Sequence, residues 1–115
     1  MGKKVAGTAY VKVDGMQLTI TGGMEAPLMD EKRETVYPGF YKAEKVTPYL
    51  KMTAIHDPDL PIKKLTEGTD MTVTGEFANG KVYVLSGGYV VDEPVSKGDD
   101  GTIEFQFDGS KGVWQ

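Results

Sequence analysis

One stretch of the sequence combines residue types that could do acid–base or metal chemistry. It reads His56-Asp57-Pro58-Asp59 and contains the single histidine of the chain. Adjacent residues on a strand point to opposite faces, so His56 and Asp57 are not expected to share a ligand. Asp59 stands where it can cap a helix that begins near Pro61. We therefore interpret the stretch as structural.

A second stretch, Gly98-Asp99-Asp100-Gly101, has some likeness to a calcium loop. It lacks the alternating oxygen ligands and the terminal glutamate of an EF-hand, so we predict a solvated turn. The chain has no cysteine and no GxGxxG or P-loop pattern, and its histidine shows no sign of serving a serine nucleophile. The sequence predicts no catalytic, cofactor-binding or metal site, and hence no cofactor and no enzyme.

Length and charge narrow the class of protein further. The 115 residues fit a single domain, residues 1–115, and the net charge of −4 argues against nucleic-acid binding through a basic surface. No apolar run approaches eighteen residues and the N-terminus has no signal-peptide core, so we expect assembly in the cytoplasm without a membrane anchor. The 15 glycines, with many Thr, Val and Tyr residues, favour strands joined by tight turns.

Two hairpins can be located by their turns. Asp14-Gly15 predicts a two-residue turn that pairs Val13 with Met16, Val11 with Leu18 and Ala9 with Ile20. Asn79-Gly80 predicts a second turn, between a strand over residues 71–77 and a return over residues 81–86. The second register is expected to pair Phe77 with Val82 and Gly75 with Val84.

Further elements follow from apolar periodicity. Strands are predicted over residues 48–56 and 102–107, and residues 89–91 are expected to continue the second hairpin past a bend at Gly87-Gly88. A short helix is predicted from Pro61 to Gly68. The resulting fold class is mainly β, an antiparallel β-sandwich or small barrel with one short α-helix. The expected core is Val11, Val13, Leu18, Ile20, Leu50, Met52, Val73, Phe77, Val84, Ile103 and Phe105.

Three stretches lack a convincing strand period. Residues 92–101 are predicted to form a surface loop, and residues 109–115 a C-terminal tail. Residues 28–46 are predicted to form a long loop, which in a compact domain is usually functional or disordered. This loop carries three aromatic residues beside Pro38-Gly39, and such residues with polar neighbours are typical of interface anchors. The alternative is that they fold back onto the core of their own domain.

Three segments of the chain, taken together, resemble the tail tube proteins of Mu-like bacteriophages. They are residues 5–15, the run 32–36 followed by Gly39 and Tyr41, and residues 78–85, in the order and spacing of that family. The resemblance covers residues 5–107. One departure is that the family often has a tryptophan shortly after the second hairpin, where this chain has Tyr89.

The resemblance implies a structural subunit of a phage or phage-like tail tube. Its partners would be copies of itself in stacked six-fold rings, together with tape measure, sheath, and tail terminator or baseplate proteins. DNA would pass through the lumen without specific binding, and the protein would be located in the virion tail. A contractile injection device or a type VI secretion tube would have similar sequence features.

Two sets of residues are candidates for roles in such a tube. The long loop, expected to be mobile in the free subunit and ordered in the tube, would supply subunit contacts through Arg33, Glu34, Val36, Tyr37, Phe40 and Tyr41. The polar hairpin faces, which carry small or acidic residues, would line the channel or else face outwards, through Gln17, Thr19, Thr72, Thr74 and Glu76.

A different class of function remains open from the sequence. A monomeric β-sandwich that binds a ligand or carbohydrate would need an aromatic platform on one sheet face. Tyr10, Tyr49 and Tyr83 are the candidates for it.

Overall fold

Strands dominate the computed structural model, which describes residues 9–56, 58, 60–99 and 101–115. This part of the chain holds eleven strands and one helix, which confirms the predicted fold class. Their bounds are β1 Ala9–Val13, β2 Met16–Leu18, β3 Ile20–Glu25, β4 Glu31–Tyr37, β5 Phe40–Lys45, β6 Tyr49–Ile55, α1 Ile62–Glu67, β7 Met71–Phe77, β8 Val82–Val91, β9 Ser96–Lys97, β10 Thr102–Asp108 and β11 Lys111–Trp114.

The larger sheet curls into a nearly closed antiparallel barrel. Two stretches of chain make this closure possible, because each of them pairs with one strand over its first part and with a different strand over its last part. The chain leaves β2, which pairs with β1, and continues after Thr19 as β3, which pairs with β6. The long strand β8 pairs with β7 over its first part and with β10 over its last. The circuit β1, β7, β8, β10, β6, β3 therefore returns through β2 to β1.

The first hairpin confirms most of its predicted register. Val11 pairs with Leu18 and Val13 with Met16, and both turn residues have positive φ, 50° at Asp14 and 86° at Gly15. The predicted partner of Ile20 was wrong, because Ile20 pairs with Ala54 of β6. The chain leaves β1 after Leu18, and this bend closes the barrel.

The second hairpin is shifted by one residue from the prediction. The Phe77 N–H donates to the Lys81 carbonyl, so three residues form the connection, and Gly80 has φ 90°. This is the arrangement of a turn followed by a left-handed residue. The shift pairs Gly75 with Tyr83 and places Tyr83 and Leu85 in the core. Val84, predicted as core, and Phe77 are consequently only half-buried.

The core lies inside the barrel and is apolar throughout the described residues. β6 and β10 pair along their full lengths with the predicted phases, and β8 continues past the glycine bend through Val91 as predicted. The buried residues are Val11, Val13, Leu18, Ile20, Leu50, Met52, Ala54, Leu65, Met71, Val73, Tyr83, Leu85, Ile103, Phe105 and Phe107.

The helix lies where the sequence predicted it and packs on β8. Leu65 is buried, and Ile62 packs against the core. Pro61 occupies the N-cap position without a side-chain cap, and the predicted cap residue Asp59 lies outside the described residues.

Two of the three stretches predicted to be irregular are regular instead. Residues 28–46 contain β4 and β5, which pair with each other as a separate two-stranded sheet. Residues 109–115 contain β11, which pairs with β8. The third stretch, 92–101, contains the short strand β9 on β10. Alternation failed to reveal β4 and β5 because neither face of them is buried.

Candidate functional site: the exposed hairpin and its root

The β4–β5 hairpin stands out from the barrel. Every residue of both strands is exposed, and neither strand packs extensively on any other element of the described chain. The radius of gyration is 15.8 Å, whereas a compact domain of this length has about 13 Å. Pro38 and Gly39 form the turn, and Gly39 has φ 89°, which favours glycine at this position. The hairpin is thus an arm with both faces open to solvent.

Opposite charges face each other along this arm. The register pairs Glu31 with Lys45, Lys32 with Glu44 and Glu34 with Lys42. The Lys42 Nζ lies 3.5 Å from a Glu34 carboxylate oxygen, although both side chains are largely exposed. Cross-strand charge pairs favour one register, but exposed pairs are worth at most about 1 kcal/mol. The arm therefore has no core of its own, and its opposite charges favour the observed register.

The tip of the arm is apolar on both faces. Tyr37 and Phe40 are cross-strand neighbours with ring centroids 6.2 Å apart, and they are 67% and 69% exposed. A bulge at Val36 lets these two residues meet. Tyr41 pairs with Thr35, and the Arg33 guanidinium lies 5.0 Å from the centre of its ring. The alternative that these aromatics fold onto the subunit's own core is wrong.

The root of the arm lies beside the C-terminal strand β11. Trp114 packs against Phe77 and Tyr83, with ring centroids 5.5 Å and 5.0 Å away, and its indole N–H donates to the Pro27 carbonyl at 2.8 Å. Burial, and then the negative charge of Asp30, raises the pKa of the Tyr83 phenol. Sequence reasoning missed these contacts of Trp114 because it treated residues 109–115 as a tail.

Most residues proposed to line the channel lie on the outward face of the barrel. Lys12 of β1 lies between Gln17 of β2 and Thr74 of β7. Glu76 of β7 is opposite Tyr10 of β1. Thr72 is exposed on the same strand, and its backbone N–H is bound by the Asp14 carboxylate. Thr19 lies apart from them at the bend between β2 and β3, where its carbonyl accepts the Ile55 N–H.

This outward face is of mixed charge and not acidic. Lys12 contributes a positive charge beside Glu76, and Lys111 adds a second where β11 extends the sheet past β8. The small and acidic residues expected on this face are therefore accompanied by Lys12, which belongs to the polar face of the first hairpin, and by Lys111 of β11, a strand that the sequence did not predict.

Comparison with known proteins identifies the family. The sequence model of the family described as phage tail tube protein matches residues 2–114. The chain belongs to the phage tail tube protein family. It is thus a tail tube subunit and a component of a phage or phage-like tail. No curated protein matches the chain significantly. The narrower assignment to the Mu-like group stays a prediction.

Two solved structures have the same fold as this tail tube subunit. One is described as the sheath/tube terminator of an extracellular contractile injection system in its extended state, with a TM-score of 0.61 and 9% identity. The match covers 94% of this chain and 93% of the terminator chain. The other is described as the sheath-tube complex of such a system, with a TM-score of 0.61, 8% identity, and coverage of 99% and 91%.

The stretches first considered for chemistry do not form a site in the described part of the tail tube subunit. His56 Nδ1 lies 2.6 Å from the Ser96 hydroxyl, while Asp57, Asp59 and Asp100 fall outside the described residues. No group of three or more His, Asp or Glu side chains there could hold a metal ion. None of the described helices has the length and apolar character needed to cross a bilayer.

The aromatic platform of the alternative function is not assembled. Tyr10 is 58% exposed on the outward face of the barrel, whereas Tyr83 is 3% exposed and points into it. Tyr49 is on β6, opposite Asp108. The three rings therefore do not share a sheet face, and the monomeric carbohydrate-binding interpretation loses its site.

Proposed function

We propose that this tail tube subunit assembles with copies of itself into six-fold rings, which stack into a hollow tube. The observation that carries the proposal is the exposed β4–β5 arm. An isolated two-stranded hairpin is only marginally stable in water, and exposed aromatic groups mark interaction sites. A neighbouring subunit would cover Tyr37, Phe40 and Tyr41 and so stabilise the arm. A contact between different surfaces of successive copies gives a ring when it closes, and rings that also stack give a tube.

The charges of the arm suit a contact that must hold one register. The pair Glu34–Lys42 and the residue Arg33 lie close to the aromatic tip. Because the charges are exposed, exchanging their partners for groups on a second copy costs little. Complementary charges across an interface select register more than they add affinity. In this proposal the aromatic residues, with Val36, supply the buried area and the charges align it.

The tube would act as a conduit in a tail. The similar structures come from assemblies that contain a sheath and a terminator, and we propose the same classes of partner for this chain, together with tape measure and baseplate proteins. The chain carries a net charge of −4, which discourages adhesion of DNA phosphates during passage. In this proposal the protein works in the virion tail, and its role is structural rather than enzymatic.

The outward barrel face around β1 and β7 is proposed as the wall of the channel. Gln17, Thr72, Thr74 and Glu76 would line it, with Thr19 at its edge. Short polar side chains with both charge signs offer no continuous basic strip to phosphates. DNA would then slide along the wall rather than bind to it.

The test is a double substitution at the arm tip, Phe40→Ser with Tyr41→Ser. It removes apolar groups from both faces of the arm and touches no buried residue. We expect a folded monomer that forms no tubes in electron micrographs. Val95→Ser is the matched control, since Val95 is 59% exposed away from the arm, and it should assemble normally.

Hydrogen exchange is an independent test of the same proposal. The amides of β4 and β5 should exchange fast in the monomer and slowly in the tube, because the arm gains its stability from a neighbour. Unfolding of the monomer by the double substitution would mean that the aromatics stabilise the subunit itself. Normal tubes from the doubly substituted protein would show that the arm is not the contact.

A further inference from the structure

The arm joins the barrel through two stretches of chain, here called its legs: residues 26–30 lead into β4, and residues 46–48 leave β5. The C-terminal segment, residues 109–115, forms a hydrogen bond to each leg. The Trp114 indole N–H donates to the carbonyl of Pro27, on the leg that leads into β4. The Gly109 N–H donates to the carbonyl of Pro48, on the leg that leaves β5, at 3.0 Å. Since proline has no N–H, each leg presents an acceptor at this point and the segment supplies both donors.

The segment is itself fixed to the barrel. β11 pairs with β8 from Lys111 to Trp114, and the Gln115 N–H donates to the Val82 carbonyl. The indole ring is packed against Phe77 and Tyr83. The contacts with the barrel therefore fix the position of the Trp114 indole independently of its hydrogen bond to Pro27.

The two legs are also joined to each other. The Val46 N–H donates to the Asp30 carbonyl at 2.9 Å, which closes the root. Gly112 runs close beside the leaving leg, where an added Cβ would lie 3.1 Å from the Pro48 Cβ. The two legs are therefore joined to each other, and the base of the arm is held at Pro27 and Pro48.

We propose that the C-terminal segment sets the direction in which the arm leaves the barrel, with Trp114 as the positioning residue. The consequence for assembly rests on the proposed function above. An arm free to swing would spend only part of its time in the orientation that a neighbour accepts, and the apparent affinity falls by that fraction. Trp114 would thus promote assembly without contacting the neighbouring subunit.

The chain is well suited to a direct test, because it has no cysteine and a single tryptophan. Spin labels on cysteines introduced at Thr35 of the arm and Lys63 of α1 report the arm's direction in dilute monomer. Both sites are exposed. In Trp114→Phe, which keeps an aromatic ring and removes the donor, we expect a broader distance distribution than in the parent. The matched control Val113→Ala, on the same strand, should leave the distribution unchanged.

Assembly gives the second reading. Loss of one hydrogen bond worth about 1 kcal/mol corresponds to roughly a five-fold change in an equilibrium constant. The protein concentration at which half of Trp114→Phe sediments as tubes should rise by about that factor or more. If Trp114→Phe does not fold, the tryptophan can be replaced by its benzothienyl isostere, which carries sulfur in place of the ring N–H. This isostere retains the ring packing.

The outcomes separate the inference from the proposed function. Broader distances together with weaker assembly support the positioning role. Unchanged distances, or broader distances with unchanged assembly, overturn it while leaving the tube proposal intact. If the parent forms no tubes, the proposed function fails, and the distances still decide whether the segment holds the arm.

Discussion

Gly112 provides a sharp test of where the C-terminal strand lies. It sits on β11 opposite Leu85, and a Cβ at this position would overlap the Tyr83 hydroxyl and come within 2.5 Å of Tyr83 Cζ. Tyr83 cannot move aside freely, because it is 3% exposed and Trp114 packs on its ring. Gly112→Ala must therefore displace β11 or the buried ring.

The expected cost follows from two opposing effects. Overpacking a well-filled site costs about 1–3 kcal/mol, whereas replacing glycine by alanine stabilises by about 0.4–1 kcal/mol through the unfolded chain. The steric effect dominates, and we expect a net loss of about 1–2 kcal/mol. For a domain of this size that corresponds to a fall in Tm of roughly 5–10 °C.

Thermal unfolding followed by circular dichroism measures this loss. Gly98→Ala is the matched control, because an added Cβ at Gly98 has nothing within 4 Å, and its Tm should not fall. Equal melting temperatures for Gly112→Ala and the parent would refute the reasoning. Residues 109–115 would then be the unpacked tail that the sequence suggested.

Three further predictions concern the core, the channel and alkaline stability. Phe105→Ala should cost about 3–5 kcal/mol, and Phe77→Ala clearly less since Phe77 is only half-buried; equal losses in denaturant titrations would contradict the observed register. Thr72→Lys with Thr74→Lys should permit assembly but slow DNA passage and lower infectivity, while the control Thr69→Lys should not; equal infectivity would place this face outside the channel. Because the folded-state pKa of Tyr83 is raised, its contribution to stability is fully present below the ordinary tyrosine pKa of about 10 and is lost as pH rises through the folded value. Tyr83→Phe should therefore lose less stability than the parent above that pH, and parallel pH profiles would show that Tyr83 does not titrate as described.

The sequence predicted most of the barrel strands that bury one face, among them β1, β6, β7 and β10. Asp14-Gly15 fixed the first register through its two positive φ angles, and alternation placed Leu50 and Phe105 in the core. The predicted register of the second hairpin was wrong by one residue, because Asn79-Gly80 also fits a three-residue connection. One extra residue in the connection exchanges the two faces of β8.

The candidate site was predicted in part. The aromatics beside Pro38-Gly39 were expected to be interface anchors. Their exposure excludes the alternative that they pack on the core of their own domain, and the interface role stays a prediction. The strands that carry them were missed, because β4 and β5 have charged residues on both faces and no period to detect. The role of Trp114 depends on a contact with Pro27, far away in the sequence, and local patterns contain no signal for it.

Electron microscopy of the concentrated, purified chain tests the central claim most directly. We predict hollow tubes built of stacked six-fold rings, with a tube fraction that falls on dilution as mass action requires. A protein that stays monomeric across a wide range of concentrations and shows no tubes in micrographs would contradict the account.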